Sequence, residues 1–246
     1  MNTETSPSRV QRVRHELKRR DLAVVHAEAI SPHFRSVTLG GDALEGFISA
    51  SFDDHCKLIL DTGGASLVMR DYTPRRFDPA ARELTLEFAL HGDGPAAGWA
   101  AQAVPGQRVT IGGPRGSFII PLDYDWHLLV GDETALPAIA RRLEELPAGV
   151  RAIVLVQLHD AADRRSLRSD CEASVQWLGR DESLVDAVRG LQLPSGEGYA
   201  WCAGEASVAA ALRRVLVDEK GHSRHAIRAA AYWKRGAIAH HENLDI

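Results

Sequence analysis

The chain has 246 residues, 45% of them hydrophobic and 25% charged, and its formal net charge is -4. Such a composition excludes extended disorder and leaves room for one large domain or two of ordinary size, while the negative balance excludes a general nucleic-acid binder. Three cysteines, Cys56, Cys171 and Cys202, form no C-x-x-C pair, so no zinc or iron-sulfur ligand set is expected, and the sparse count fits a reducing compartment. No run approaches the roughly 18 apolar residues that span a bilayer, and the N-terminal stretch lacks the apolar core of a secretory signal. The expected location is the cytoplasm, without stable membrane association and without a nucleic-acid partner.

In chain order, the basic run from Arg9 to Arg20 reads as a solvated flank, with an anion-binding arm as the alternative. Short alternating segments then follow, punctuated by Gly, Pro and Asp: Leu22 to Ile30, Phe34 to Leu39, His55 to Leu60, Leu67 to Thr73, Glu83 to Leu90 and Arg108 to Ile111. This is the rhythm of an antiparallel barrel or sandwich. In ELTLEFALHG, Leu84, Leu86, Phe88 and Leu90 share one face, and Thr85, Glu87, Ala89 and His91 share the other. In RDYTPRRFD, an extended backbone places Arg70 and Tyr72 on one side, a cation beside an aromatic ring, before Pro74 ends the strand. That pairing suits an anionic, planar ligand.

After about residue 122 the rhythm becomes strand, turn, helix. DWHLLV is a strand, GDET a turn, and ALPAIARRLEEL a helix with Leu136, Ile139, Ala140 and Leu143 on its apolar stripe. RAIVLVQL, SVQWLG, YAWCA and HAIRAAAYW are further strands, the last of them final, and ESLVDAVRGL and SVAAALRRVLVDEK are helices, the second ended by Gly221. Alternation of this kind predicts a mostly parallel sheet covered on both faces, which binds nucleotides beyond the carboxyl ends of its strands. Cys202 reads as a buried strand residue, since no base is placed to activate it.

A barrel bearing R-x-Y-T, then GGPRGSF, GDETALPAI, AGEAS and a terminal YWKRG, in that order, resembles the siderophore-interacting proteins, flavin-dependent ferric-siderophore reductases. The resemblance implies two domains of ferredoxin-reductase-like fold. These are an N-terminal antiparallel Greek-key β-barrel that binds FAD over 1–122, and a C-terminal parallel-sheet α/β domain that binds NAD(P)H over 123–246. It implies that Arg70 pairs the FAD pyrophosphate and that Tyr72 and Thr73 meet the flavin ring as the catalytic pair. HGDGPAAGWA matches the second flavin segment, with Gly94, Ala96 and Ala97 offered to the pyrophosphate through the backbone and His91 to the flavin or to solvent. Gly113, Gly116 and Ser117 extend the cofactor site.

By the same resemblance the nucleotide site falls to Asp132 and Thr134 in GDET and to Gly204 and Glu205 in AGEAS, with Thr134 capping the helix and Asp132 and Glu133 orienting the nicotinamide side. Trp233 either covers the flavin or walls the substrate cleft. The resemblance further implies that basic residues flank the flavin and hold the substrate, a role that Lys57, Arg115, Lys234 and Arg235 match. Gln157 at a strand end, followed by Arg164, Arg165 and Arg168, favours NADPH over NADH, because an NAD-type site places a carboxylate there. The implied activity is electron transfer from NAD(P)H through FAD to siderophore-bound iron(III) by a monomer without metal ligands of its own. The alternatives are a general flavin or ferredoxin-type reductase and a non-catalytic siderophore-binding protein.

Overall fold

The computed structural model describes residues 9–64, 66–90, 94–237 and 242–243. The first half builds a seven-stranded antiparallel sheet from β2 (Arg19–Ser31), β3 (Phe34–Gly40), β4 (Cys56–Leu60), β5 (Val68–Tyr72), β6 (Arg76–Asp78), β7 (Glu83–Ala89) and β8 (Arg108–Gly112). Its spatial order, β5-β4-β8-β2-β3-β7-β6, crosses over as a Greek key does. The alternation of β7 is obeyed: Leu84, Leu86 and Phe88 are fully buried, and the residues between them are half-exposed. They close the barrel core with Leu22, Val37, Leu39, Leu58 and Ile111. Curling of the sheet brings β5 against β7, so that the Tyr72 ring lies 4.3 Å from that of Phe88. The short helix α1 (Pro95–Ala101) packs on the same core through Ala96, Ala100 and Trp99.

The basic flank is not simply solvated. Gln11–Arg14 forms β1, paired antiparallel with β9 (Gly116–Ile119), and Gly116 has no room for a Cβ because the Val13 carbonyl of β1 occupies that space. Arg20 is buried, donates to the carbonyl oxygens of Gly113 at 3.3 Å and Gly46 at 3.4 Å, and lies over the Phe47 ring. Carbonyl dipoles and a π face satisfy this cation where a carboxylate is the usual partner. Arg9 pairs with Asp123 and Glu197.

The second half is a sheet of order β12-β11-β10-β13-β14-β15. Five strands are parallel, β10 (Trp126–Asp132), β11 (Arg151–Gln157), β12 (Glu172–Leu178), β13 (Gly198–Glu205) and β14 (Ile227–Trp233); the two-residue β15 (Glu242–Asn243) runs antiparallel beyond the strand expected to be last. One face buries Leu129, Val154 and Trp201 against α2 (Leu136–Glu145) and the barrel residues Phe34 and Phe52. The other buries Leu128, Val130, Leu155 and Cys202 against α3 (Leu184–Gly190) and α4 (Ala206–Arg214). Instead of running on to Lys220, α4 widens into a π turn over Val215–Glu219 before Gly221, at φ +69°, releases the chain.

Helix α2 ties the halves together where the site lies. Arg141 donates to the Pro74 carbonyl at 2.8 Å and to Ser49 Oγ at 2.7 Å, and Arg75 pairs with Glu144 and Glu87. The end of β5 is thereby fixed against the carboxyl end of β10.

Candidate active site

Extended backbone through Thr73, enforced by Pro74, aims the end of β5 into a cavity of about 340 Å³ between the two sheets. Arg70, Tyr72 and Thr73 line it from the barrel, Thr134 from the turn before α2 and Pro137 from its first turn, and Tyr232 and Trp233 from the end of β14. Tyr72 presents a ring supported by Phe88, and burial pushes its phenol up to about 12, so it stays neutral. Among the described residues the Arg70 guanidinium donates only to the carbonyl of its neighbour Met69, at 2.8 Å, and forms no ion pair. A supported aromatic face beside a guanidinium that meets no carboxylate among the described residues fits the isoalloxazine and diphosphate of FAD. The volume lies within the range of small-molecule pockets, and the N-terminus of α1, at Gly94, carries no side-chain cap.

A second cleft of about 500 Å³ opens beyond the carboxyl ends of β10, β11 and β13, lined by Asp132, Gln157, Gly204, Glu205, Ser207 and Arg235 among others. Glu133 and Trp233 line both clefts. Asp132 organises their junction. Its carboxylate accepts from Thr134 N at 2.9 Å, Glu205 N at 3.1 Å and Trp233 Nε1 at 2.8 Å, and burial raises its pKa. A Cβ at Gly204, φ +146°, would stand 2.5 Å from that carboxylate, so the glycine permits the close approach. The cap expected of Thr134 is therefore made by Asp132, to which the Thr134 hydroxyl itself donates. Glu205 caps α4 through Ser207 N at 2.7 Å and Val208 N at 3.2 Å, which engages its charge. Glu133, desolvated and beside Asp132, is raised to about 7.

Most of the remaining expected residues lie apart from these two linings. Gly94, Ala96 and Ala97 begin α1; Gly113 turns at φ +84°; Gly116 serves the β1 contact. Ser117 is buried, donating to Asp54 at 2.8 Å and hydrogen-bonded to His15, which makes it part of the barrel interior. His91 lies outside the described residues. Arg165 pairs with Glu87 and stacks over Phe34, because the loop after β11 packs against the barrel; Arg164 borders a separate hollow with Leu167 and Trp177. Of the cations expected to hold substrate, Lys57 projects outward but is held by Asp71 at 2.9 Å, and Arg115 and Lys234 are exposed; Arg235 reaches the second cleft.

Two features were not visible in the sequence. Arg180 lines the second cleft without an ion pair among the described residues, and its loop is fastened by Gln157, whose amide donates to the carbonyls of Gly179 at 3.4 Å, Arg180 at 3.3 Å and Glu182. Its only local signal is an arginine immediately past a strand end, in LGRDES. The second is a buried cluster in which Asp53 accepts from Arg228, from Trp201 Nε1 at 2.9 Å and from Tyr232 at 3.4 Å; no local pattern announces partners 148 to 179 positions apart.

An antiparallel barrel joined to a five-stranded parallel sheet, with the cleft at the carboxyl strand ends meeting the aromatic cavity, is the ferredoxin-reductase-like fold. Residues 23–68 and 61–118 match the siderophore-interacting FAD-binding domain, and residues 124–236 match the siderophore-interacting protein family model. The NADPH-dependent ferric-chelate reductase of Escherichia coli is 38% identical over 93% of this chain and 98% of its own. The ferric vibriobactin reductase of Vibrio cholerae is 30% identical, over 92% and 93%. The crystal structure of a siderophore utilization protein from T. fusca superposes with a TM-score of 0.87 at 35% identity, covering 94% of this chain and 98% of that one. The chain belongs to the siderophore-interacting protein family, and it is a flavoprotein oxidoreductase with FAD as its cofactor.

Proposed function

We propose that this chain is an NADPH-dependent ferric-siderophore reductase, moving electrons from NADPH by way of FAD to chelated iron(III) and releasing iron(II). The observation that carries the reading is the meeting of the two clefts at Trp233 and Glu133, which brings a nucleotide site against a flavin site. FAD supplies the conversion between a two-electron hydride and single electrons. Arg70 holds its diphosphate, Tyr72 supports its ring, and Thr73, 7% exposed, holds its edge. Arg180, rather than Arg164 or Arg165, is the cation placed to receive a 2'-phosphate, and Gln157 stands where a carboxylate would favour NADH.

Siderophores present hard oxygen donors that favour the trivalent ion, so reduction loosens the complex. Lys57, Arg115, Lys234 and Arg235 steer an anionic chelate toward the cavity mouth by their combined field. Lys57 contributes least, since Asp71 offsets its charge. The proposal includes a monomer in the cytoplasm, divided into domains at residues 122 and 123. Three free cysteines support that compartment, and among the described residues no helix is long and apolar enough to cross a membrane. An anaerobic screen of ferric chelates against the reduced protein tests the reading. Rapid reoxidation by ferric siderophores is expected, and reoxidation by free flavins alone would overturn it.

A further inference from the structure

Two hydroxyl side chains share the wall of the flavin cavity, Thr73 at the end of the β5 run and Tyr232 near the end of β14. The Thr73 hydroxyl stands within side-chain hydrogen-bonding reach of Tyr232, and the Tyr232 hydroxyl reaches Asp53 Oδ1 at 3.4 Å. Asp53 is 4% exposed and Arg228 likewise, and the two form an ion pair whose other carboxylate oxygen is anchored by Trp201 Nε1. A chain of polar groups thus runs from a buried ion pair to the cavity wall. It is assembled from β13, β14 and two separate barrel segments.

The direction of this chain follows from its buried end. A carboxylate paired with a guanidinium only accepts hydrogen bonds, so the Tyr232 O–H donates to Asp53. The Tyr232 oxygen is then left as an acceptor, and the Thr73 O–H donates to it. With its proton turned toward Tyr232, the Thr73 oxygen offers lone pairs to the cavity. We infer that Tyr232 is a positioning residue that fixes Thr73 as a hydrogen-bond acceptor toward the flavin edge, and so biases the cofactor toward its reduced form. The inference rests on the reading that Thr73 meets the flavin. The reactive ring nitrogen of an oxidised flavin accepts a hydrogen bond, whereas in the reduced flavin it carries a hydrogen and donates one. A fixed acceptor therefore favours the reduced state, and a hydroxyl free to rotate serves both.

The test is a spectroelectrochemical titration of FAD-loaded wild type, Tyr232→Phe, Thr73→Val and the double variant. Tyr232→Phe keeps the ring and the Asp53 to Arg228 pair but removes the link to Thr73. Its reduced-to-oxidised ratio at a fixed potential is expected to fall about threefold to tenfold, a midpoint about 15 to 30 mV lower for a two-electron couple. Thr73→Val should also lower the midpoint, and adding Tyr232→Phe to it should change nothing further, which a merely structural role for Tyr232 does not predict. A shifted Thr73→Val with an unshifted Tyr232→Phe overturns the role of Tyr232 alone. A Tyr232→Phe shift that persists undiminished in the Thr73→Val background overturns the hydroxyl chain. Thr73→Val at the wild-type midpoint overturns both the inference and the placement of Thr73 at the flavin.

Discussion

Replacing Asp53 by Ala removes the carboxylate on which β13, β14 and the barrel converge. The side chains of Asp53 and Arg228 are only 2% and 5% exposed, so the lost partner is not replaced by bulk water. Trp201 Nε1, donating to Asp53 at 2.9 Å, loses its acceptor in the same step. Breaking a buried pair from one side costs roughly 3 to 5 kcal/mol, because the charge left behind loses its buried carboxylate. For a chain of this length each kcal/mol moves Tm by about 2 to 4 °C, so Asp53→Ala should melt roughly 6 to 20 °C lower in scanning calorimetry of the FAD-loaded protein. Replacing both partners with apolar residues, Asp53→Leu with Arg228→Met, should recover most of the loss, since the charge left behind dominates the cost. An Asp53→Ala protein melting within about 2 °C of wild type, on the same scale, would refute the reasoning.

Arg70→Ala should weaken FAD binding by about 10- to 150-fold, the equivalent of roughly 1.5 to 3 kcal/mol for a charge-assisted contact, measured by fluorescence titration of the apoprotein; undiminished affinity removes Arg70 from the site. Arg180→Ala should lower kcat/KM for NADPH about 10-fold or more while leaving NADH nearly unchanged, and equal losses for both nucleotides contradict a 2'-phosphate contact. His127, fully buried with Arg142 nearby, has its pKa lowered from 6.5 to about 4. The unfolded chain therefore binds the extra proton first as pH falls, and stability is lost between about pH 6.5 and 4, by about 3 kcal/mol at the lower end. Chemical denaturation across that range should show wild type losing more stability than His127→Phe, and parallel curves exclude His127 as the cause.

The apolar pattern of β7 and the stripe of α2 were legible because burial on one face writes a period into the sequence, and Leu84, Leu86, Phe88, Ile139 and Leu143 obey it. Arg70, Tyr72 and Thr73 were legible together because one short strand and the residue that follows it carry all three to the cavity. Pairing across the fold leaves no such trace. Arg20 looks like part of a charged flank until β8 and the Gly46 carbonyl enclose it. Arginines were sought past the strand ends, yet only the tertiary packing decides which loop reaches the cleft there. Arg165 turns onto Glu87 and Phe34, while the loop after β12, held by Gln157, carries Arg180 there. Asp53 and Arg228, 175 positions apart, meet only once barrel and sheet have docked.

The fate of electrons in the FAD-loaded protein under nitrogen tests transfer from NADPH to chelated iron most directly. NADPH should bleach the flavin absorbance, and one equivalent of reduced protein should then return to the oxidised spectrum on addition of a ferric siderophore, with two equivalents of iron(II) appearing in a ferrous trap. A flavin that NADPH does not bleach, or a bleached flavin that ferric siderophore leaves reduced, contradicts the account.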